Sequence, residues 1–277
     1  MGLTLERIGY TYGAGTSFAE RALDDVSLSV EPGELVLVLG ATGSGKSTLL
    51  RLAAGLMGPC EGVASIDGEP LTRSSARGTV GLVFQDAESQ LFAETVQADV
   101  EFGPRNLGAD DAAARAAAAD ALVAVGLDPA AFGARSPFTL SGGEARRAAV
   151  AGVLAMRPRY LLMDEPTAGL DASGRRAVSA LVREARSRSG VVVVSHTAEE
   201  FLGDATRVLL LRRGAVGFWG EAGALVDDPA PFERAGLRAP DVLRVQVLAR
   251  TRGLDVGAFT LDPRLAAANL ARAGGWV

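Results

Sequence analysis

The run Gly40-Ala41-Thr42-Gly43-Ser44-Gly45-Lys46-Ser47 constrains this chain more than any other segment. It follows a short apolar stretch, Val36 to Leu39, that reads as a buried strand. It precedes a stretch from Lys46 to Ala54 that reads as a helix with Gly55 as its C-cap. The pattern G-x-x-x-x-G-K-S has chemical meaning in that strand–loop–helix context. Gly43 and Gly45 let backbone N–H groups wrap phosphate oxygens, and the helix N-terminus adds the positive end of its dipole. Lys46 is expected to bridge the β- and γ-phosphates of a nucleotide, and the Ser47 hydroxyl to ligate Mg²⁺. The candidate phosphate cradle thus runs from Gly40 through Thr48.

Length allows one large α/β domain with a small appendage, since the chain has 277 residues. Its longest apolar runs, Leu35 to Leu39 and Val191 to Val194, are strand-sized, far below the ~20 residues a membrane helix needs. The opening Met1-Gly2-Leu3-Thr4-Leu5-Glu6 has neither a basic region nor an apolar signal core, so residence in the cytoplasm is expected. Net charge is −5, and no basic run exceeds pairs such as Arg212-Arg213, which argues against nucleic acid as a partner. Cys60 is the single cysteine and His196 the single histidine, so neither an internal disulfide nor a His/Cys zinc site is available within one chain.

Residues 3–10 and 25–30 alternate as strands do, with a glycine-containing loop at 13–19 between them. Further strands are expected at 62–66, 79–84, 160–164 and 191–195. A hairpin is expected from Val208 to Leu211, through Gly214, to Ala215–Trp219. Between Asp86 and Arg157 the pattern turns helical: Ala112 to Val125 is nearly pure alanine, and a second helix runs from about Ser141 to Met156, stopped by Pro158. An arginine-rich helix at 173–188 links two of the strands. Beyond Gly220 the chain is rich in proline and alanine, and Pro240 is placed at the first position of a helix ending near Gly253. Strands alternating with helices predict a mainly parallel, helix-covered α/β sheet. The expected division is a domain over residues 1–220, an antiparallel β part and a helical insertion at about 86–157 within it, and a small helical annex at 221–277.

Three more segments carry chemistry. Leu161-Leu162-Met163 delivers Asp164 to the end of a buried strand, where it would hold Mg²⁺ through a water. Glu165 beside it could polarise the water that attacks the γ-phosphate. His196 ends the strand Val191 to Ser195, placed to hydrogen-bond the γ-phosphate and Glu165. Leu140-Ser141-Gly142-Gly143-Glu144 opens a helix: Ser141 can cap it and two glycines leave N–H groups unshielded, so it is a second anion site. A chain with two such helix ends can use them on different copies of itself. Asn106 and Asn269 are its only asparagines, so no Asn-Lys-x-Asp guanine-reading motif exists and ATP is preferred to GTP.

Taken together, these residues resemble the ATPase subunit of an ATP-binding cassette (ABC) transporter over residues 1 to about 220. The resemblance implies a P-loop NTPase (RecA-like) fold and two such domains facing head to tail. Each ATP would sit between one subunit's Lys46 loop and the other's Ser141-Gly142-Gly143. It further implies that Gln85 senses Mg²⁺ and links to the membrane partner, and that Asp171, in Gly169-Leu170-Asp171, lies at the dimer seam. Tyr12 would stack on adenine, with Tyr10 as the alternative. Glu144 replaces the more usual glutamine, a mild departure. The segment Gln85-Asp86-Ala87-Glu88-Ser89-Gln90-Leu91-Phe92, then Thr95-Val96 and Glu101-Phe102-Gly103-Pro104, with Arg146-Arg147, resembles the energy-coupling factor (ECF) ATPases, including those of cobalt and nickel importers. That narrower resemblance implies a transmembrane T component docked at this segment, a separate substrate-binding membrane subunit, and a place on the cytoplasmic face of the membrane. A homodimer and a heterodimer with a paralogue are equally permitted. An exporter cassette and a soluble, non-transport ABC ATPase remain the alternatives.

Overall fold

Buried residues recur along the chain's opening as two long strands, β1 (Leu3–Tyr12) and β2 (Glu20–Val30), paired antiparallel with Leu3 opposite Val30. The structure is a computed structural model that describes residues 1–276. Next come β3 (Leu35–Gly40), buried at every position, and α1 (Lys46–Ala53). Ala54, not Gly55, is the C-cap of α1. Gly55 is the next residue, at φ 67, and the N–H groups of Gly55 and Leu56 reach the carbonyls of Leu52 and Arg51 at 3.0 Å each, closing the helix in a Schellman motif.

Two short strands follow, β4 (Glu61–Ile66) and β5 (Glu69–Pro70). Asp67 (φ 54) and Gly68 (φ 88) join them, the two left-handed residues that a tight hairpin requires. With β1 and β2 they form a four-stranded antiparallel sheet in the order β2-β1-β4-β5. After α2 (Arg73–Ala76) and β6 (Val80–Val83) comes the helical block: α3 (Val96–Asn106), α4 (Asp111–Ala124), α5 (Pro129–Phe132) and α6 (Gly142–Ala155). Thr95 and Asp110 cap α3 and α4 with their side chains. Ala114, Ala118 and Ala121, with Leu122, form the buried face of α4, and the alanines let it pack closely on α3 and α6.

The remaining elements are β7 (Tyr160–Asp164), α7 (Ala172–Arg186), β8 (Gly190–Ser195), β9 (Arg207–Arg212), β10 (Ala215–Glu221), α8 (Ala222–Asp227), α9 (Ala230–Arg234), α10 (Asp241–Thr251) and α11 (Pro263–Ala273). Pro240 stands at the N-cap of α10, one position before the expected first turn, with an extended ψ of 139. Asp241 takes the first helical position instead, where its carboxylate meets Arg238 at 2.7 Å and Arg244 at 2.8 Å and complements the helix dipole.

A second, six-stranded sheet runs β10-β9-β3-β8-β7-β6, parallel except for the edge strand β10. Its central strands are apolar throughout because both faces are covered. Leu35, Leu37 and Leu39 of β3, with Val191 and Val193 of β8, point into the core shared with α3, α4 and α6. Val36 and Val38, with Val192 and Val194, point into a second core built on α1 and the antiparallel sheet. Parallel register (Leu39 opposite Ser195, Asp164 opposite Val194, Val83 opposite Met163) brings the carboxyl ends of β3, β8, β7 and β6 to one edge. A ligand crevice is expected at such an edge.

Candidate active site

A cleft of about 510 Å³ opens at that edge. Its walls come from Tyr12, from the loop and helix start Thr42 to Thr48, and from Gln85, Asp164, Glu165 and His196. Sequence positions spread over more than half the chain are thus assembled by four parallel strand ends and by Tyr12 at the end of β1. A larger groove of about 1330 Å³ in the C-terminal region gathers no comparable set of groups.

The phosphate cradle is built by what α1 lacks. Its N-cap is Gly45 at φ 101, with no side-chain cap and no acidic residue in the first turn. The leading N–H groups of α1 therefore remain available to an anion. A Cβ at Gly45 would lie 2.6 Å from the Ala22 carbonyl, so only glycine fits this turn. Ser44 is 3% exposed, and its hydroxyl has no hydrogen-bond partner, a polar atom that a phosphate oxygen would satisfy. Lys46 donates to the carbonyls of Gly40 at 2.6 Å and Ala41 at 3.0 Å. An ammonium has three donors, so one is left for a ligand. Burial pushes the Lys46 ammonium below its ordinary value, while the carboxylates of Glu165 and Asp164 act in the opposite direction.

Asp164 ends β7 and is 7% exposed. Its carboxylate, the Ser47 hydroxyl and the Gln85 amide supply oxygen donors to one cleft. A hard cation that also takes phosphate oxygens fits that set, as Mg²⁺ does in nucleotide sites. Glu165 follows with φ 48, a left-handed conformation that costs a non-glycine residue about 1–3 kcal/mol. Its N–H donates to the Val194 carbonyl at 3.0 Å, and its Oε2 lies 2.8 Å from Nδ1 of His196. Tyr12 lines the cleft and its hydroxyl meets that of Thr48 at 3.0 Å, whereas Tyr10 stacks edge-on behind it and is absent from the lining.

The Ser141–Glu144 segment and Asp171 are not part of this cleft. Gly142, Gly143 and Asp171 line a separate cavity of about 600 Å³. Ser141 caps α6 in a reciprocal box: its N–H and hydroxyl donate to the Glu144 carboxylate at 2.8 and 2.9 Å, and the Glu144 N–H donates back to the hydroxyl at 3.4 Å. These bonds, backbone first, hold the Glu144 carboxyl below the ordinary glutamate range, with Arg135 and Arg147 adding to the effect. Asp171 caps α7 through the Gly174 N–H at 2.7 Å.

Two contacts around the site join elements distant in the chain. Glu20, Arg21 and Ala22 of β2 supply one wall of the cleft. Arg146 reaches from α6 to the carbonyls of Glu165 and Ala168. The Arg146-Arg147 pair is legible in the sequence, but this contact of Arg146 is not, and neither is the β2 wall, because each joins distant elements.

Residues 23–168 match the ABC transporter family. The chain belongs to the ABC transporter family. Within it, this ABC ATPase is similar along nearly its whole length to proteins named energy-coupling factor transporter ATP-binding protein EcfA2. The one from Symbiobacterium thermophilum is 45% identical, covering 96% of this chain and 95% of its own. The one from Clostridium tetani is 37% identical, covering 95% and 94%. The ABC ATPase also superposes on cbiO1 from Clostridium perfringens, described as part of the ABC transporter complex cbiONQ. That match has a TM-score of 0.73 and 29% identity, and covers 88% of this chain and 98% of that one. A dimeric post-hydrolysis cassette bound to ADP and Pi, MJ0796, superposes with a TM-score of 0.70 and 28% identity over 79% of this chain and 98% of its own. The expected α/β P-loop NTPase fold, with its parallel sheet and antiparallel part, is borne out, as are the ABC and ECF resemblances. ATP is accordingly the nucleotide of this family's cleft.

Proposed function

We propose that this chain is the ATP-hydrolysing motor of an ECF-type importer. Residues 1–220 act as the nucleotide-binding domain, 86–157 as its helical insertion and 221–277 as a small annex. One observation carries the reading. Lys46, Asp164, Glu165 and His196 converge in one cleft, while the capped start of α6 faces a different cavity. A nucleotide in the cleft is therefore gripped on one side only, and a second ATPase subunit supplies the other side with its own Ser141, Gly142, Gly143 and Glu144. That subunit is another copy or a paralogue, with Asp171 at the seam.

In the closed pair, the loop Gly40 to Thr48 holds the phosphates and Tyr12 stacks on the base. Ser47, Gln85 and Asp164 would hold Mg²⁺, which supplies charge neutralisation at the β- and γ-phosphates. Glu165 orients a water and takes its proton as the water oxygen bonds to the γ-phosphorus and the β–γ bridging bond breaks, leaving ADP and phosphate. His196 keeps the Glu165 carboxylate aimed and donates to the γ-phosphate. Closure and reopening are transmitted to a transmembrane T component docked on the 85–104 segment. There Phe92 and Phe102 are exposed and meet edge to face, with ring centroids 4.8 Å apart. A separate membrane subunit binds the cargo, a vitamin or transition-metal ion. Among the described residues no helix is long and apolar enough to cross a membrane. The reading places the motor docked on the cytoplasmic face of the membrane.

Purification of the tagged chain from detergent-solubilised membranes tests the reading. Co-purification of a polytopic T-like subunit is expected. Recovery with soluble partners alone would contradict it and favour a non-transport ABC ATPase.

A further inference from the structure

The Arg146 guanidinium bridges two carbonyls of the turn that follows β7: one terminal nitrogen donates to Glu165 O at 2.6 Å and the other to Ala168 O at 2.7 Å. The same turn is closed internally by the Ala168 N–H, which donates to Glu165 O at 3.1 Å. Glu165 sits at φ 48, a conformation that persists in a non-glycine residue only where the surroundings over-determine it. Two planar donors on the carbonyls at both ends of the turn provide that constraint, and a guanidinium fork is the side chain shaped for it. Ala168 also walls both the nucleotide cleft and the cavity at the start of α6, so the clamped turn separates the two.

Arg146 lies five positions after Ser141 on α6, within the first two turns of the helix that Ser141 caps. A movement of the α6 start is therefore carried by one side chain to the backbone of Glu165. We propose that Arg146 is a positioning residue that holds Glu165 in its left-handed conformation, and so ties the carboxylate of one ATP site to the helix whose N-terminus grips the nucleotide of the other. This rests on the proposed roles of Glu165 and Ser141. It adds a physical link between two sites that do not share a cleft.

The test compares Arg146→Gln, Arg146→Lys and Glu165→Gln in the full chain, assayed in the complex with which it purifies. Arg146→Gln is expected to lower kcat by about ten- to hundredfold, the cost of displacing a reacting group by roughly an ångström, with ATP affinity unchanged. Arg146→Lys, which keeps the charge but can bridge the two carbonyls only poorly, should recover part of that loss. A merely structural role would lower affinity, kcat and thermal stability together. Wild-type kcat in Arg146→Gln beside an inactive Glu165→Gln overturns the inference while leaving the catalytic reading intact. So does a parallel loss of ATP binding. Wild-type turnover in Glu165→Gln removes the catalytic reading and this inference with it. Should Arg146→Gln fail to fold, the split between kcat and affinity in Arg146→Lys decides.

Discussion

Nδ1 of His196, the residue after β8, lies 2.8 Å from Oε2 of Glu165, the residue after β7, and the two strands are parallel neighbours. The pairing fixes the carboxylate from the side while the backbone N–H of Glu165 is tied to Val194. Replacing His196 with alanine frees that carboxylate to rotate. The expected result is a fall in kcat of about 10²–10³-fold, the usual cost of losing one polar group that acts on the reacting centre. Steady-state ATPase assays alongside equilibrium ATP binding check it, with binding retained.

Lys46 tests the phosphate cradle separately. Its two loop hydrogen bonds stiffen the cradle, and its third donor is the one proposed to meet a phosphate. Lys46→Ala removes a charge-assisted hydrogen bond worth about 1.5–3 kcal/mol, so ATP affinity should fall roughly ten- to hundredfold by calorimetric titration.

Much of this site could be read from residue order because each group stands at a strand end. Tyr160 to Asp164 is bounded as expected, and the switch from apolar run to Gly-rich loop marks β3 and α1 without ambiguity. Other features depended on pairing that no local pattern reveals. The antiparallel strands form a sheet of their own because β1 pairs with both β2 and the distant β4. β5, two residues long, has no strand pattern of its own, although Asp67-Gly68 is a hairpin turn pair. α11 differs: Asp262 before Pro263 is a helix-start signal in the sequence, and Asp262 does cap it. The left-handed Glu165 has no signal at all, since a positive φ at a glutamate is imposed by its neighbours.

Glu144 stands where glutamine is more usual, and the capping box gives it a pH signature. The folded chain holds its carboxyl below the ordinary glutamate value, so folding favours the ionised form. The stabilisation is complete above the ordinary value and is lost as pH falls through the lowered one. Glu144→Gln keeps an acceptor for the Ser141 N–H but not the charge, so it should lower stability slightly at neutral pH and flatten that acid-side loss in thermal melts. Ser141→Ala should cost about 0.5–2 kcal/mol at neutral pH.

Leu37 sits in the middle of β3, fully buried in the core under the helical block. Leu37→Ala opens a cavity there and should lower stability by about 2–5 kcal/mol in denaturant titration.

The central claim is that Glu165 carries hydrolysis in a site that two subunits close. ATP turnover by Glu165→Gln, measured together with its oligomeric state in ATP by light scattering, tests this most directly. The account predicts turnover abolished, ATP retained and a closed dimer accumulated. Hydrolysis at the wild-type rate would contradict it.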